Sequence, residues 1–216
     1  MNGQELLELI AEGESTTLEF KRKARNPEKI AREISAFANT RGGYLIIGVD
    51  DDSTIYGVRS EKTEMDTVEI ASGFVLEPAL TPEIEMVNVQ GREVVVVYIA
   101  ESEDKPHKVI HEDKKTAKNY RRAYVRVGEK SVIASRNMAN LMTYQHDDAE
   151  PLKISIGDRE KRLFAYLGKR ERATAKDFSR LVNISQRRAE RILIKLVRAG
   201  VLQIHTDQTY DYFTLV

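Results

Sequence analysis

The stretch PEKIAREISAFANTRGGYLIIGV, running from Pro27 to Val49, changes its hydrophobic period half-way along. Proline suits a helix start because its missing N–H would find no partner there anyway, and Glu28 follows it. Ile30, Ile34 and Phe37 then recur at helical spacing. Asn39-Thr-Arg-Gly-Gly43 stops the helix, since glycine supplies a left-handed cap without penalty. Tyr44 to Val49 (YLIIGV) is a continuous apolar run, the pattern of a buried strand. Asp50-Asp-Asp-Ser-Thr54 forms the turn after it, and Ile55 to Val58 is expected to return as a strand.

The neighbouring segments keep this mixed character. Upstream, Leu6, Leu7, Leu9 and Ile10 make a helical stripe that Gly13 ends, and Ser15 to Lys21 alternates as a short strand. Downstream, a helix is expected over 61–73. Residues 83–89, Gln90-Gly91 and 92–100 read as a hairpin, Lys118 to Val127 as a strand, and 135–144 as a helix. Strands and helices mix without regular βαβ alternation, which predicts an α+β fold.

The chain has 216 residues, with 34 basic and 34 acidic side chains that cancel. The cancellation hides an asymmetry. Residues 1–150 carry 20 Lys and Arg against 27 Asp and Glu, whereas residues 151–216 carry 14 against 7. Two units are therefore expected. These are a domain over 1–146, a linker over 147–157 around the polar His146 to Pro151 segment, and a basic domain over 158–216. Cysteine is absent, which excludes disulfides, thiolate zinc sites and a cysteine nucleophile and fits a cytoplasmic protein. No apolar run reaches membrane-spanning length, and the polar N-terminus does not suit a secretory signal.

The basic block reads as three helices and a hairpin. Leu163, Phe164 and Leu167 face inward on the first helix, Thr174 caps a second, and Ser185 caps a third. On that third helix Ala189, Ile192, Leu193, Leu196 and Val197 form the apolar stripe. Residues 201–204 and 210–215 follow as the hairpin. This layout resembles a winged helix, whose third helix would enter the major groove of duplex DNA. Gln186, Arg187 and Arg191 are the candidates for base edges, because Gln pairs with adenine and Arg with guanine in bidentate fashion. Lys195, Arg198 and the hairpin tip near His205 to Gln208 are candidates for phosphate.

In the first block, Glu14 and Glu19 flank an extended segment, and Asp50 closes the core strand. If the two strands lie side by side, three carboxylates converge, and such a set holds divalent cations that activate water. The alternative is that Glu14 serves a helix end, Glu19 pairs with Lys21 or Arg22, and Asp50 serves the turn. On the strand 118–127, Tyr120, Arg122, Tyr124 and Arg126 share one face. Cations interleaved with tyrosines suit a nucleic-acid strand, or else blunt a solvated sheet edge. The Gly42-Gly43 pair admits either close backbone packing or approach to a phosphate. Gly128-Glu-Lys-Ser131 lacks the glycine spacing of a P-loop.

Glu14-Ser15, Glu19-Phe20-Lys21, Ser35-Ala-Phe-Ala-Asn-Thr40, Gly42-Gly43, Gly48-Val-Asp-Asp51, Gly57 and Tyr124-Val-Arg-Val-Gly128 together resemble the AlbA_2 domain of Schlafen-like proteins. The resemblance covers about residues 5–145 and implies an α+β nucleic-acid-binding domain. In bacteria such a domain often accompanies a winged helix in transcriptional regulators, here with a homodimer matching a two-fold operator. In vertebrate Schlafens a related core cuts RNA with two glutamates and an aspartate, which correspond to Glu14, Glu19 and Asp50, with Lys21 beside them for phosphate. Three functions follow: a DNA-binding regulator; a magnesium- or manganese-dependent endoribonuclease, with RNA as partner; or a protein-interaction module.

Overall fold

The computed structural model describes residues 1–113, 115–144, 155–207 and 210–216. It divides into two compact units, Met1–Ile133 and Ala134–Val216. Among the described residues no helix is long and apolar enough to cross a membrane.

The first unit is mixed α+β. Its elements are α1 (Gly3–Glu12), β1 (Leu18–Lys21), α2 (Pro27–Ala38), β2 (Gly43–Ile47), α3 (Glu61–Phe74), β3 (Leu76–Glu77), β4 (Glu83–Val89), β5 (Arg92–Ile99), β6 (Lys108–Asp113), β7 (Lys118–Val127) and β8 (Lys130–Ile133). One sheet runs β1-β2-β5-β4 and the other β3-β6-β7-β8. Strands β1 and β2 are parallel, joined through α2, and Leu18 stands opposite Tyr44. All other pairs within the two sheets are antiparallel.

Strand β2 is buried on both faces, which is why its sequence is apolar throughout. Leu45 and Ile47 pack with Ile30, Ile34 and Phe37 of α2 and with Val95 and Val97 of β5. Ile46, on the other face, joins Leu6 and Ile10 of α1 with Val94 and Val96. Two apolar layers therefore sandwich the first sheet, and both demand the VVVV run of β5.

The hairpin of β4 and β5 turns on Gln90 and Gly91, both at positive φ, as two-residue hairpins require. The expected strand at 55–58 is reduced to a single bridge, Val49 to Ile55. Its backbone is satisfied otherwise: Tyr56 and Gly57 N–H both donate to the Gly48 carbonyl, and Val58 N–H donates to Glu93. Gly42 and Gly43 serve packing. A Cβ on Gly42 would lie 2.6 Å from the Ile99 carbonyl oxygen, and one on Gly43 2.4 Å from that of Thr17. The close approach is to neighbouring strands of the same sheet.

The second unit contains α4 (Arg136–Tyr144), α5 (Asp158–Arg170), α6 (Ala175–Val182), α7 (Gln186–Arg198), β9 (Leu202–Thr206) and β10 (Asp211–Leu215). Thr174 and Ser185 cap α6 and α7 through their side chains. Leu163, Leu167, Phe178, Ala189, Leu193, Leu196, Leu202 and Phe213 form its buried core. Beyond the β9–β10 hairpin, Ala173 bridges to Phe213, so the segment between α5 and α6 adds a third, minimal strand. The hairpin tip at 208–209 lies outside the described residues.

Candidate nucleic-acid interface and the acidic cluster

The first unit gathers its charges where β1, α2 and β7 meet. The Arg126 side chain is 0% exposed and its Nη1 lies 2.7 Å from Oε2 of Glu19, itself 9% exposed. The same Nη1 reaches Glu33 Oε2 at 3.4 Å and donates to Ser131 Oγ at 3.0 Å. Its Nη2 donates to the carbonyls of Ser15 at 2.6 Å and Glu129 at 2.9 Å. Lys21 Nζ donates to the other oxygen of Glu19, and Ser131 Oγ donates to Glu33. The guanidinium also packs over the Phe37 ring at 4.8 Å.

Arg126 was expected at a nucleic-acid surface, and the structure corrects this. Strand β7 is exposed from Lys118 to Arg122 and buried from Ala123 to Arg126, because α2 covers only its second half. Arg122 stays exposed, 5.1 Å from the Tyr120 ring. The Gly128 to Ser131 segment is the β7–β8 turn, and Ser131 is spent on Glu33 and Arg126.

The three-carboxylate metal set also needs correction. Glu14 Oε1 accepts the Phe20 N–H at 2.9 Å. Asp50 faces Arg22 at 3.6 Å, and that guanidinium lies 3.8 Å over the Tyr56 ring. Both Glu19 oxygens already meet cations. Among the described residues no three His, Asp or Glu side chains gather as metal ligands. Magnesium or manganese does not fit Glu14, Glu19 and Asp50 as they stand.

The carboxylates nonetheless feel one another. Burial pushes the Glu14 carboxyl above its usual range; the Phe20 N–H opposes this and the Glu19 charge adds to it. Burial also raises Glu33, again with the Glu19 charge adding to it, while Ser131, Lys21 and Arg126 oppose. For Lys21, burial works against the ammonium, but the bond to Glu19 and the nearby carboxylates outweigh it and raise its pKa.

Ser35 and Asn39 are polar residues on the buried face of α2. Asn39 Nδ2 donates to the carbonyls of His107 at 2.9 Å and Tyr124 at 3.0 Å, and its Oδ1 accepts the His107 N–H at 2.8 Å. Ser35 Oγ donates to His107 O and accepts the Tyr124 N–H. The pair fastens α2 to β6 and β7. The sequence signal was available as two polar side chains one turn apart inside an apolar stripe. His107 and His111 are likewise structural: His107 bonds Pro78 and Ser102, and His111 bonds Glu28 and Tyr124.

A sequence model of the family described as Schlafen, AlbA_2 matches residues 14–135. The chain belongs to this family. The AlbA_2 match takes in Glu14, Glu19, Lys21, Asp50 and Arg126 and ends two residues beyond the first compact unit. Solved structures similar to the chain include the following two. One is the DIP2311 protein from Corynebacterium diphtheriae, at 21% identity and a TM-score of 0.45, covering 76% of this chain and 36% of that one. The other is the N-terminal domain of a RecG-related protein from Nitrosomonas europaea, at 24% identity and a TM-score of 0.42, covering 63% of this chain and 93% of that one. The chain thus spans little more than a third of the Corynebacterium protein.

Beyond the AlbA_2 domain, the cations expected on α7 are brought together. Ala189, Leu193 and Leu196 turn into the core, so Arg187, Arg191, Lys195 and Arg198 fall on the opposite face at helical spacing. Arg187, Arg191 and Lys195 are exposed. Gln186 donates to Glu190 at 3.2 Å.

Proposed function

We propose that the chain is a DNA-binding transcriptional regulator of the AlbA_2 family, acting as a cytoplasmic homodimer, whose second unit is a winged helix. The observation that carries this is the exposed cationic face of α7, set on a three-helix core with a β9–β10 wing and the Ala173–Phe213 bridge. A helix so arranged matches the recognition helix of that module, which lies in the major groove and contacts bases from its N-terminal turn. Family membership supports nucleic-acid binding for the first unit, with Lys21 and Arg122 as its candidate phosphate contacts.

The regulator reading is favoured over the ribonuclease because Glu19 has both oxygens committed to Lys21 and Arg126. Selection of bound sequences from a random duplex pool tests it. The full chain should enrich a two-fold-related motif, and Arg187→Ala with Arg191→Ala should erase the enrichment. Recovery of no motif, or of the same motif by the double variant, would overturn the reading.

A further inference from the structure

The β9–β10 hairpin has a face that the core of the second unit does not use. Phe213 turns into that core, so Tyr212, its neighbour on β10, stands on the opposite face of the strand. There it lies across from His205 of β9 and stacks on it, with ring centroids 4.9 Å apart and planes 14° from parallel. Arg172 precedes Ala173, the residue that bridges to Phe213, and its guanidinium carbon lies 5.7 Å from the centre of the Tyr212 ring. Tyr166 and Arg170 sit one turn apart on the same side of α5.

These segments border a recess of about 420 Å³, whose walls include Tyr166, Arg170, Arg172, Tyr210, Tyr212 and Asp177. That size is at the small end of ligand sites, roughly 300–1,000 Å³. Tyr166 and Tyr212 are half-buried and Tyr210 is exposed, so the first two rings are held by their neighbours and still border the recess. Asp177 is occupied in capping α6, its Oδ2 accepting the Thr174 N–H at 2.9 Å and the Thr174 hydroxyl at 2.6 Å. Tyrosine rings stack on nucleobases whatever the sequence. A guanidinium whose flat face meets a ring keeps its N–H donors in the plane, where they suit a phosphate. A base with its phosphate answers both groups. A base inside a duplex does not, because its faces are covered by the stack.

We infer that this recess binds one unpaired nucleotide, its base among Tyr166, Tyr210 and Tyr212 and its phosphate at Arg170 and Arg172. The nucleotide is free in solution or belongs to a single strand, and the chemistry that recognises it is the same. The site is separate from duplex reading by α7, since among the described residues none of that helix borders the recess.

The test is a nuclear magnetic resonance titration of the full chain with nucleoside monophosphates, nucleosides, ribose phosphate, short single strands and a fully paired duplex. The backbone signals of Arg170, Arg172, Tyr210 and Tyr212 should move with the monophosphates or with the single strands. Movement with the monophosphates places the source in solution, and movement with the strands alone places it in a strand. Tyr212→Ala should weaken this binding roughly 5- to 150-fold, the loss of one stacking partner, and Tyr212→Phe should keep it. Arg172→Ala should weaken monophosphate or strand binding by about 3- to 10-fold, as loss of a charge-assisted contact does, and leave the nucleosides unaffected. Its melting temperature should not move, since Arg172 is exposed. Arg187→Ala/Arg191→Ala should bind like wild type, which separates this site from the function proposed for α7. No binding of either source, or equal binding by wild type, Tyr212→Ala and Arg172→Ala, would overturn the inference. Ribose phosphate binding as tightly as the monophosphates would overturn the stacked base, and equal movement with the duplex would overturn the unpaired nucleotide.

Discussion

Replacing Arg126 by alanine would remove the one group that joins Glu19, Glu33, Ser131 and the Ser15 and Glu129 carbonyls. Glu19 would keep Lys21, but Glu33 would be left buried with Ser131 as its direct partner. Removing one partner of a buried ion pair costs about 3–5 kcal/mol, because the other charge stays out of water. A domain has only about 5–15 kcal/mol of stability in all. A loss of this size lowers the melting temperature by on the order of 10–20 °C. The assay is urea and thermal unfolding followed by circular dichroism, with Arg121→Ala as control. Arg121 and Glu77 pair with both side chains about half exposed, and such a surface pair is worth about 0–1 kcal/mol. Equal, small losses for the two variants would refute the structural reading of the cluster.

Asn39→Ala should destabilise by about 2–4 kcal/mol in urea unfolding, since a buried N–H and carbonyl lose their partner. Asn39→Asp should be no better, because a carboxylate cannot donate to the His107 and Tyr124 carbonyls. Glu33 has a raised pKa through burial and then the Glu19 charge, so the folded state binds its proton more tightly than the unfolded chain does. Its contribution to stability falls as pH rises from the ordinary carboxylate range to the raised value. Wild type should therefore lose stability relative to Glu33→Gln across that window, and a parallel pair of pH curves would contradict this. Gly43→Ala should leave little folded protein by circular dichroism, because its Cβ would sit 2.4 Å from a carbonyl oxygen and 2.8 Å from the Phe37 ring. Gly91→Ala, with open space around it, should cost about 1 kcal/mol through its positive φ alone.

Periodicity and caps were enough to find α2, the buried β2, the β4–β5 hairpin and the helices capped by Thr174 and Ser185. These features depend on neighbours within a few residues. Arg126 was not legible, because alternation places Tyr120, Arg122, Tyr124 and Arg126 on one face without saying where α2 begins to cover it. The 55–58 segment failed as a strand for a similar reason: its N–H groups are met by Gly48 and Glu93 across a turn. For Glu14, Glu19 and Asp50 the alternative reading found the local partners, Lys21 for Glu19 and the turn for Asp50, but not Arg126 on β7 or Arg22. Pairings that join segments more than a hundred residues apart, such as Arg126 to Glu19, leave no mark on local pattern.

The acidic cluster of the AlbA_2 domain is held by internal partners, and α7 is the surface proposed above to supply the sequence-reading duplex contact. Both roles are tested most directly by one set of titrations of the full chain, in which wild type, Glu19→Gln and Arg187→Ala/Arg191→Ala meet duplex DNA and structured RNA with magnesium or manganese. The expected result is intact RNA throughout, near-wild-type duplex affinity for folded Glu19→Gln, and at least a tenfold loss for the arginine pair. Metal-dependent RNA cutting that Glu19→Gln abolishes, with the arginine pair still binding duplex normally, would contradict it.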